Sequence, residues 1–339
     1  MYTDEDLNAA VQAGVFSAES VERFKKTISE QKSTASVDEE NFRLVSGFND
    51  IFVVIACVLL LVSSLWFFNS VTGSESMGLL SGAVLSWLLA EFFVLKRKMA
   101  LPAIVLLLSF VGSSFAFVAS FSNDNSPSTY IFAAALSAIA TYLHWLRFKV
   151  PITIAAGMAV VVVLCVSILI GAYSDITPQL IPWLSPLLFV CGLGVFALAM
   201  YWDAADTTRT TRQSDVAFWL HLLAAPLIIH PVFSWLGVLD HNDGLVGMVV
   251  IICFYAVVTL ISLAIDRRAF MVSSLVYVLY AISSIIEAYG DLSYSFALTG
   301  CMMGGVLLLL SAFWHRMRSS LVPKLPNYIQ HYVPKSDLI

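Results

Sequence analysis

From about residue 50 onward the chain alternates long apolar runs with very short polar breaks; before that point it does not. Runs of crossing length lie at roughly 50 to 69, 77 to 95, 101 to 121, 129 to 146, 151 to 172, 180 to 202, 216 to 237, 245 to 265, 269 to 288 and 294 to 314. A helix needs about 20 residues to cross the hydrocarbon of a bilayer. The runs are continuous, whereas barrel strands would be short and alternating. The pattern predicts an all-α integral membrane protein of about ten transmembrane helices. Short breaks make neighbours in sequence antiparallel neighbours in the bundle.

Charge gives this pattern a direction. Lys96, Arg97 and Lys98, then Arg147 and Lys149, then Arg209 and Arg212, then Arg267 and Arg268 occupy every second break. The other basic residues lie before the first run or after the last, while the intervening breaks carry acids alone, as in "SNDNSPS" and "LDHNDG". By the positive-inside rule both termini are expected in the cytoplasm. Tryptophans follow the same layering, with Trp66, Trp183 and Trp235 toward the outer ends and Trp145, Trp202, Trp219 and Trp314 toward the inner ones. Composition agrees, at 59% hydrophobic and 12% charged residues with a mean hydropathy of +0.85. That excludes a soluble globular domain.

Three segments follow: a cytoplasmic helical hairpin and linker over residues 1–45, a transmembrane domain over 46–318, and a cytoplasmic tail over 319–339. In "TDEDLNAAVQAGVFSAESVERFKKTISEQ" acids open a first helix, Gly14 ends it, and Ser17 caps a second. Leu7, Ala10 and Val11 form one apolar face, and Val21, Phe24 and Ile28 the other. The hairpin is read as a cap on the cytoplasmic loops or as a docking module for a protein partner. No basic n-region opens at Met1, so the first span is expected to do the targeting. Cys57, Cys165, Cys191, Cys253 and Cys301 all sit in apolar runs without metal spacing and read as small hydrophobes.

"LNAAVQAGVFSAESVERF" followed by "ENFRLVSGFNDIFVVIACVLLLVSSLWFF" resembles the opening of a family of bacterial multi-span membrane proteins of unknown function. "TRTTRQSDVAFWLHLLAAPLIIHP", "LAIDRRAFMVSSLVYVLYAIS" and "LLLLSAFWHRMRSSLVPKLP" resemble further proteobacterial membrane proteins. The resemblance implies an inner-membrane location and supplies no catalytic residues.

Ionisable groups within the apolar runs raise the functional question, because a charge at the bilayer centre costs at least about 2.5 kcal/mol. These are Glu91, His221, His230 and Glu287. Glu91 lies near Lys96, and snorkelling toward the basic break accounts for it. His221 and His230 share the seventh run with Pro226 and Pro231, which mark a candidate helix break. In a straight helix nine residues is close to half a rotation, so the two rings would point opposite ways and share no ligand. In the ninth run Ser273, Tyr277, Tyr280, Ser284 and Glu287 recur at helical spacing as one polar stripe. Together with the histidines it is read either as interhelical glue or as a solute or proton path. Gly78 with Gly82 and Gly300 with Gly304 have the spacing of packing motifs.

Two function classes follow. A small-solute or proton-coupled transporter would use His221, His230, Tyr277, Tyr280, Ser284 and Glu287 along its path, and calls for a wet cavity between the seventh and ninth spans. The alternative is a non-catalytic membrane scaffold or regulator. An enzyme is disfavoured: no nucleophile with a base, no metal pair and no phosphate-binding loop is present. No metal or other cofactor and no nucleic-acid partner is expected, and the basic breaks are explained by topology.

Overall fold

The computed structural model describes residues 10–11, 13–24, 48–121, 126–172, 177–206, 209, 211–236, 245–289, 295–330 and 333. Two compact units divide the chain, one of residues 1–41 with 337–339 and one of residues 42–336.

In the smaller unit Gly14 adopts the left-handed conformation at φ 72°, where a Cβ would be strained. Residues 18–24 then form a helix. The Ser17 hydroxyl accepts the Ser20 N–H at 3.1 Å, satisfying a donor that the first turn cannot pair. Val21 is buried and Phe24 about half exposed. Leu7 and Ile28, which the hairpin reading assigned to the two apolar faces, lie outside the described residues.

The larger unit is built of long helices: α1 (Phe48–Thr72), α2 (Glu75–Ala90), α3 (Ala100–Ala119), α4 (Pro127–Phe148), α5 (Ile152–Ala172), α6 (Thr177–Ala205), α7 (Arg212–Trp235), α8 (Leu245–Ile265), α9 (Ala269–Tyr289) and α10 (Ser295–Leu321). Among the described residues there is no strand. Among the described residues eight helices are long and apolar enough to cross a membrane; α8 and α9 contribute the shorter apolar stretches Val249–Ile265 and Ala269–Tyr280. Outward faces are apolar too, as at Trp66, Leu88, Phe132, Tyr201 and Leu308. Apolar surface on this scale would be a liability in water and is the expected boundary with lipid.

Two cores lie within this unit. Cys57, Leu61, Leu106, Leu107 and Ala134 centre the first, carried by α1 to α5. Val195, Leu220, Ile229, Phe233, Leu263 and Val278 centre the second. Helix α5 belongs to both, giving Val160 to the first and Ala155 to the second, and Trp219 of α7 packs on both.

The four basic breaks share one device. Lys98, Lys149, Arg209 and Asp266 all have φ of 54–60°, a left-handed residue that costs a non-glycine about 1 kcal/mol. It lets each break reverse the chain in very few residues. The Lys149 N–H donates to the Trp145 carbonyl at 3.1 Å, and Asp266 sits inside the ion network described below.

Glycine spacing divides into two outcomes. A Cβ on Gly78 would meet the Leu65 carbonyl oxygen at 2.6 Å and one on Gly82 the Ser113 hydroxyl at 2.9 Å. There α1 and α3 approach α2 as closely as backbone allows. Gly300 and Gly304 have open space where a Cβ would go.

Candidate functional site

The polar residues gather at the end of the bundle where the basic breaks lie. Asp203, in the last turn of α6, is almost fully buried. One carboxylate oxygen accepts from His221 Nε2 at 2.8 Å and the other from Arg267 Nη2 at 2.6 Å. Arg267 donates in addition to the Ser214 carbonyl and hydroxyl, both at 3.2 Å. Its backbone is pinned as well, because the Arg267 N–H binds the Ser262 carbonyl at 3.0 Å and the Ser262 hydroxyl donates to the Arg267 carbonyl.

One residue earlier, Asp266 faces a second set of donors. It accepts from Arg209 at 2.9 Å and Trp314 Nε1 at 2.9 Å, and forms an ion pair with Arg318 at 3.5 Å. Arg209 also donates to the Ile265 carbonyl at 3.1 Å. Burial pulls its guanidinium below its ordinary pKa, as does the nearby Arg267 charge, with Asp266 opposing both. The Arg268 guanidinium lies 5.0 Å over the Trp314 ring, a cation–π contact. Asp206 accepts from the N–H and hydroxyl of Thr211 at 2.8 and 2.6 Å. Thr211 in turn caps α7 by accepting the Gln213 N–H.

Two carboxylates, Asp203 and Asp266, therefore face the guanidinium groups of Arg209, Arg267 and Arg318, drawn from α6, the α6–α7 and α8–α9 breaks, and α10. Each ion removed from water costs several kcal/mol unless its remaining lone pairs or protons are met. His221, bound to Asp203, is fully buried. A carboxylate only accepts, so His221 Nε2 donates to Asp203; Nδ1 is then a buried acceptor without a partner among the described residues. Phe196 and Phe270 wall the ring at 5.5 and 6.1 Å.

His230 lies on the opposite side of the same helix. It is exposed, and its Nδ1 meets the Tyr277 hydroxyl at 2.5 Å, so two of the sequence-selected residues do come together. The Tyr277 ring is stacked on the buried Phe233, 4.4 Å between centroids and 3° from parallel, beside buried Ile229 and Val278. At this level α7 and α9 pack against each other through the Tyr277 and Phe233 rings. Tyr280 is over a third exposed. The side chains of Ser284 and Glu287 lie outside the described residues.

Helix α7 runs unbroken through Pro226 and Pro231, which corrects the expected break. Pro231 frees the Leu227 carbonyl, and this part of α7 is covered by the closest approach of α6. A Cβ on Gly192 would lie 2.9 Å from Leu227 Cβ and 3.0 Å from its carbonyl carbon. Freed backbone inside a membrane is tolerated where protein covers it.

In the other core His144 is also buried. Its Nδ1 is 3.4 Å from the Thr153 hydroxyl, Nε2 has no partner, and Trp87, Phe110 and Phe148 surround it. No charge reaches it. Glu91 takes a bidentate pair with Arg147, both contacts 2.8 Å, instead of turning toward Lys96. Among the described residues no cluster of three metal-ligating side chains exists.

Sequence reasoning picked out His221 but missed its partners. Asp203 falls one residue beyond the sixth apolar run, and Arg209, Arg267 and Arg318 were absorbed by the topology rule. A usable signal was present: the basic breaks of the second half contain acids, namely Asp203, Asp206, Asp215 and Asp266, while those at 96–98 and 147–149 contain none. No protein-family model, curated protein or solved structure matches the chain.

Proposed function

We propose that the protein is a bacterial inner-membrane transporter of about ten spans, with both termini cytoplasmic, that moves a small solute coupled to protons. The resemblance to hairpin-headed bacterial membrane proteins and the alternation of basic breaks support location and orientation. One observation carries the coupling: His221 is buried among apolar rings with one nitrogen on a carboxylate shared with Arg267 and the other unpartnered. Ionisable groups within a membrane domain are retained chiefly where charge or protons move.

A proton arriving at Nδ1 turns the ring into a second cation on the single charge of Asp203. Arg267 then competes with His221 for that carboxylate, and the α8–α9 break it anchors is released from α6 and α7. Loss of the proton restores the clamp. The α7–α9 contact at Tyr277 is packed, so this reading rests on His221, Asp203 and Arg267 and not on His230.

The scaffold reading draws on that same packed contact and on the separate small unit at the N-terminal end. A thermal-shift screen of purified protein against ions, small metabolites and amino acids separates the two. It is run over a series of pH values and repeated with His221→Gln. A stabilising solute whose effect depends on pH in the wild type and not in the variant supports coupled transport. Absence of any stabilising solute supports the scaffold.

A further inference from the structure

We infer that the groove between α8 and the C-terminal end of α10 is a binding site for an anionic phospholipid. Leu260, Leu263, Phe313, Met317, Arg316 and Lys324, with Ser320 and Leu321, line a space of about 580 Å³. The site is separate from the ion network, and helix geometry explains why. Arg316 and Arg318 are two residues apart, about 200° around a helix. Arg318 turns inward to Asp266, and Arg316 turns outward to the groove.

The lining is graded along its length. Phe313, Met317 and Leu260 form its apolar walls and are each about half exposed, with Leu263 buried at the floor. Ser320 and Lys324 lie beyond them toward the end of the helix, with Arg316 between. From Phe313 to Lys324 is about 16 Å at helical rise, enough for a glycerophosphate headgroup and the first part of an acyl chain. The Ser320 hydroxyl donates to the Arg316 carbonyl at 3.0 Å, and its oxygen is free to accept a headgroup hydroxyl.

Charge chooses the occupant. Neither Arg316 nor Lys324 has an ion-pair partner among the described residues. Basic pockets between membrane helices are suited to anionic headgroups, each cation near the surface strengthening the attraction. A second copy placed symmetrically on this face would bring the same cations against one another. The flanks of the groove are exposed and apolar, at Val257, Ile261, Leu308 and Leu309, so the occupant enters from the bilayer.

Native mass spectrometry of the full-length protein with phosphatidylglycerol or phosphatidylcholine tests this. The wild type is expected to retain phosphatidylglycerol at least about tenfold better. The exposed pair Arg316→Gln with Lys324→Gln should erase that preference without changing the melting temperature. Met317→Trp, which fills the groove and keeps both charges, should also lose the bound lipid. Arg97→Gln with Lys98→Gln, at another basic break, should leave the preference intact. The inference is overturned if the Arg316/Lys324 variant keeps its preference, if Met317→Trp binds normally, if the Arg97/Lys98 variant loses as much, or if inorganic phosphate at tens of millimolar displaces the lipid.

Discussion

His221 and His230 sit nine residues apart on one helix, in the same apolar run, and their surroundings differ in every respect that matters chemically. His221 is enclosed, bound to a carboxylate that an arginine also holds, with one nitrogen left open. His230 is exposed, and shares one hydrogen bond with a tyrosine. Half a helical rotation separates a ring committed to a charge network from one on the outer surface. Position on the seventh run says little about either; the neighbours that α6, α9 and the α8–α9 break bring to it decide.

The difference can be broken most forcefully at the arginine. Arg267→Met strands the Asp203 charge in the core and should cost about 3–5 kcal/mol, read as a large drop in melting temperature in detergent and in folded yield. Asp203→Asn in the same background should recover much of that loss, because an apolar–neutral pair no longer carries a buried ion. If the double variant is no better than Arg267→Met, the two side chains do not act as a pair.

Packing gives the next largest effect. Gly192→Leu drives a side chain into Leu227 and Ile228, where even a Cβ is at 2.9 Å. Overpacking of this kind costs about 1–3 kcal/mol. Gly300→Leu, with open space around it, should leave the melting temperature unchanged. Equal effects at the two positions would contradict the close approach of α6 to α7.

His230→Ala should be the mildest, within about 1 kcal/mol for one exposed hydrogen bond, and Tyr277→Phe should match it because both remove the same contact. A double variant no worse than either single change would confirm the pairing.

Much of the fold was legible because hydropathy and charge act on it directly. Among the described residues the apolar runs coincide with long helices, eight of them long and apolar enough to cross a membrane, and the basic breaks coincide with the tight left-handed turns at Lys98, Lys149, Arg209 and Asp266. One expectation failed because a run of sequence does not show what packs against it. Pro226 and Pro231 mark a candidate break, yet α7 is continuous, its weakened stretch covered where Gly192 lets α6 close in. The stripe at Tyr277 reads either as glue or as a path, and its spacing did not show that Phe233 stacks on Tyr277. The same holds for the glycine pairs, identical in spacing, of which Gly78 and Gly82 are packed and Gly300 and Gly304 are open. The site was half legible. His221 stood out as a polar residue in an apolar run, whereas Asp203 and Arg267 looked like ordinary charges at the ends of helices.

Proton movement in pyranine-loaded liposomes tests the central claim most directly, comparing wild type, His221→Gln and His230→Gln while a solute found by the thermal-shift screen is supplied outside. The account predicts solute-dependent acidification in the wild type and His230→Gln, and its loss in His221→Gln at unchanged melting temperature. Acidification preserved in His221→Gln, or lost equally in both variants, would contradict it.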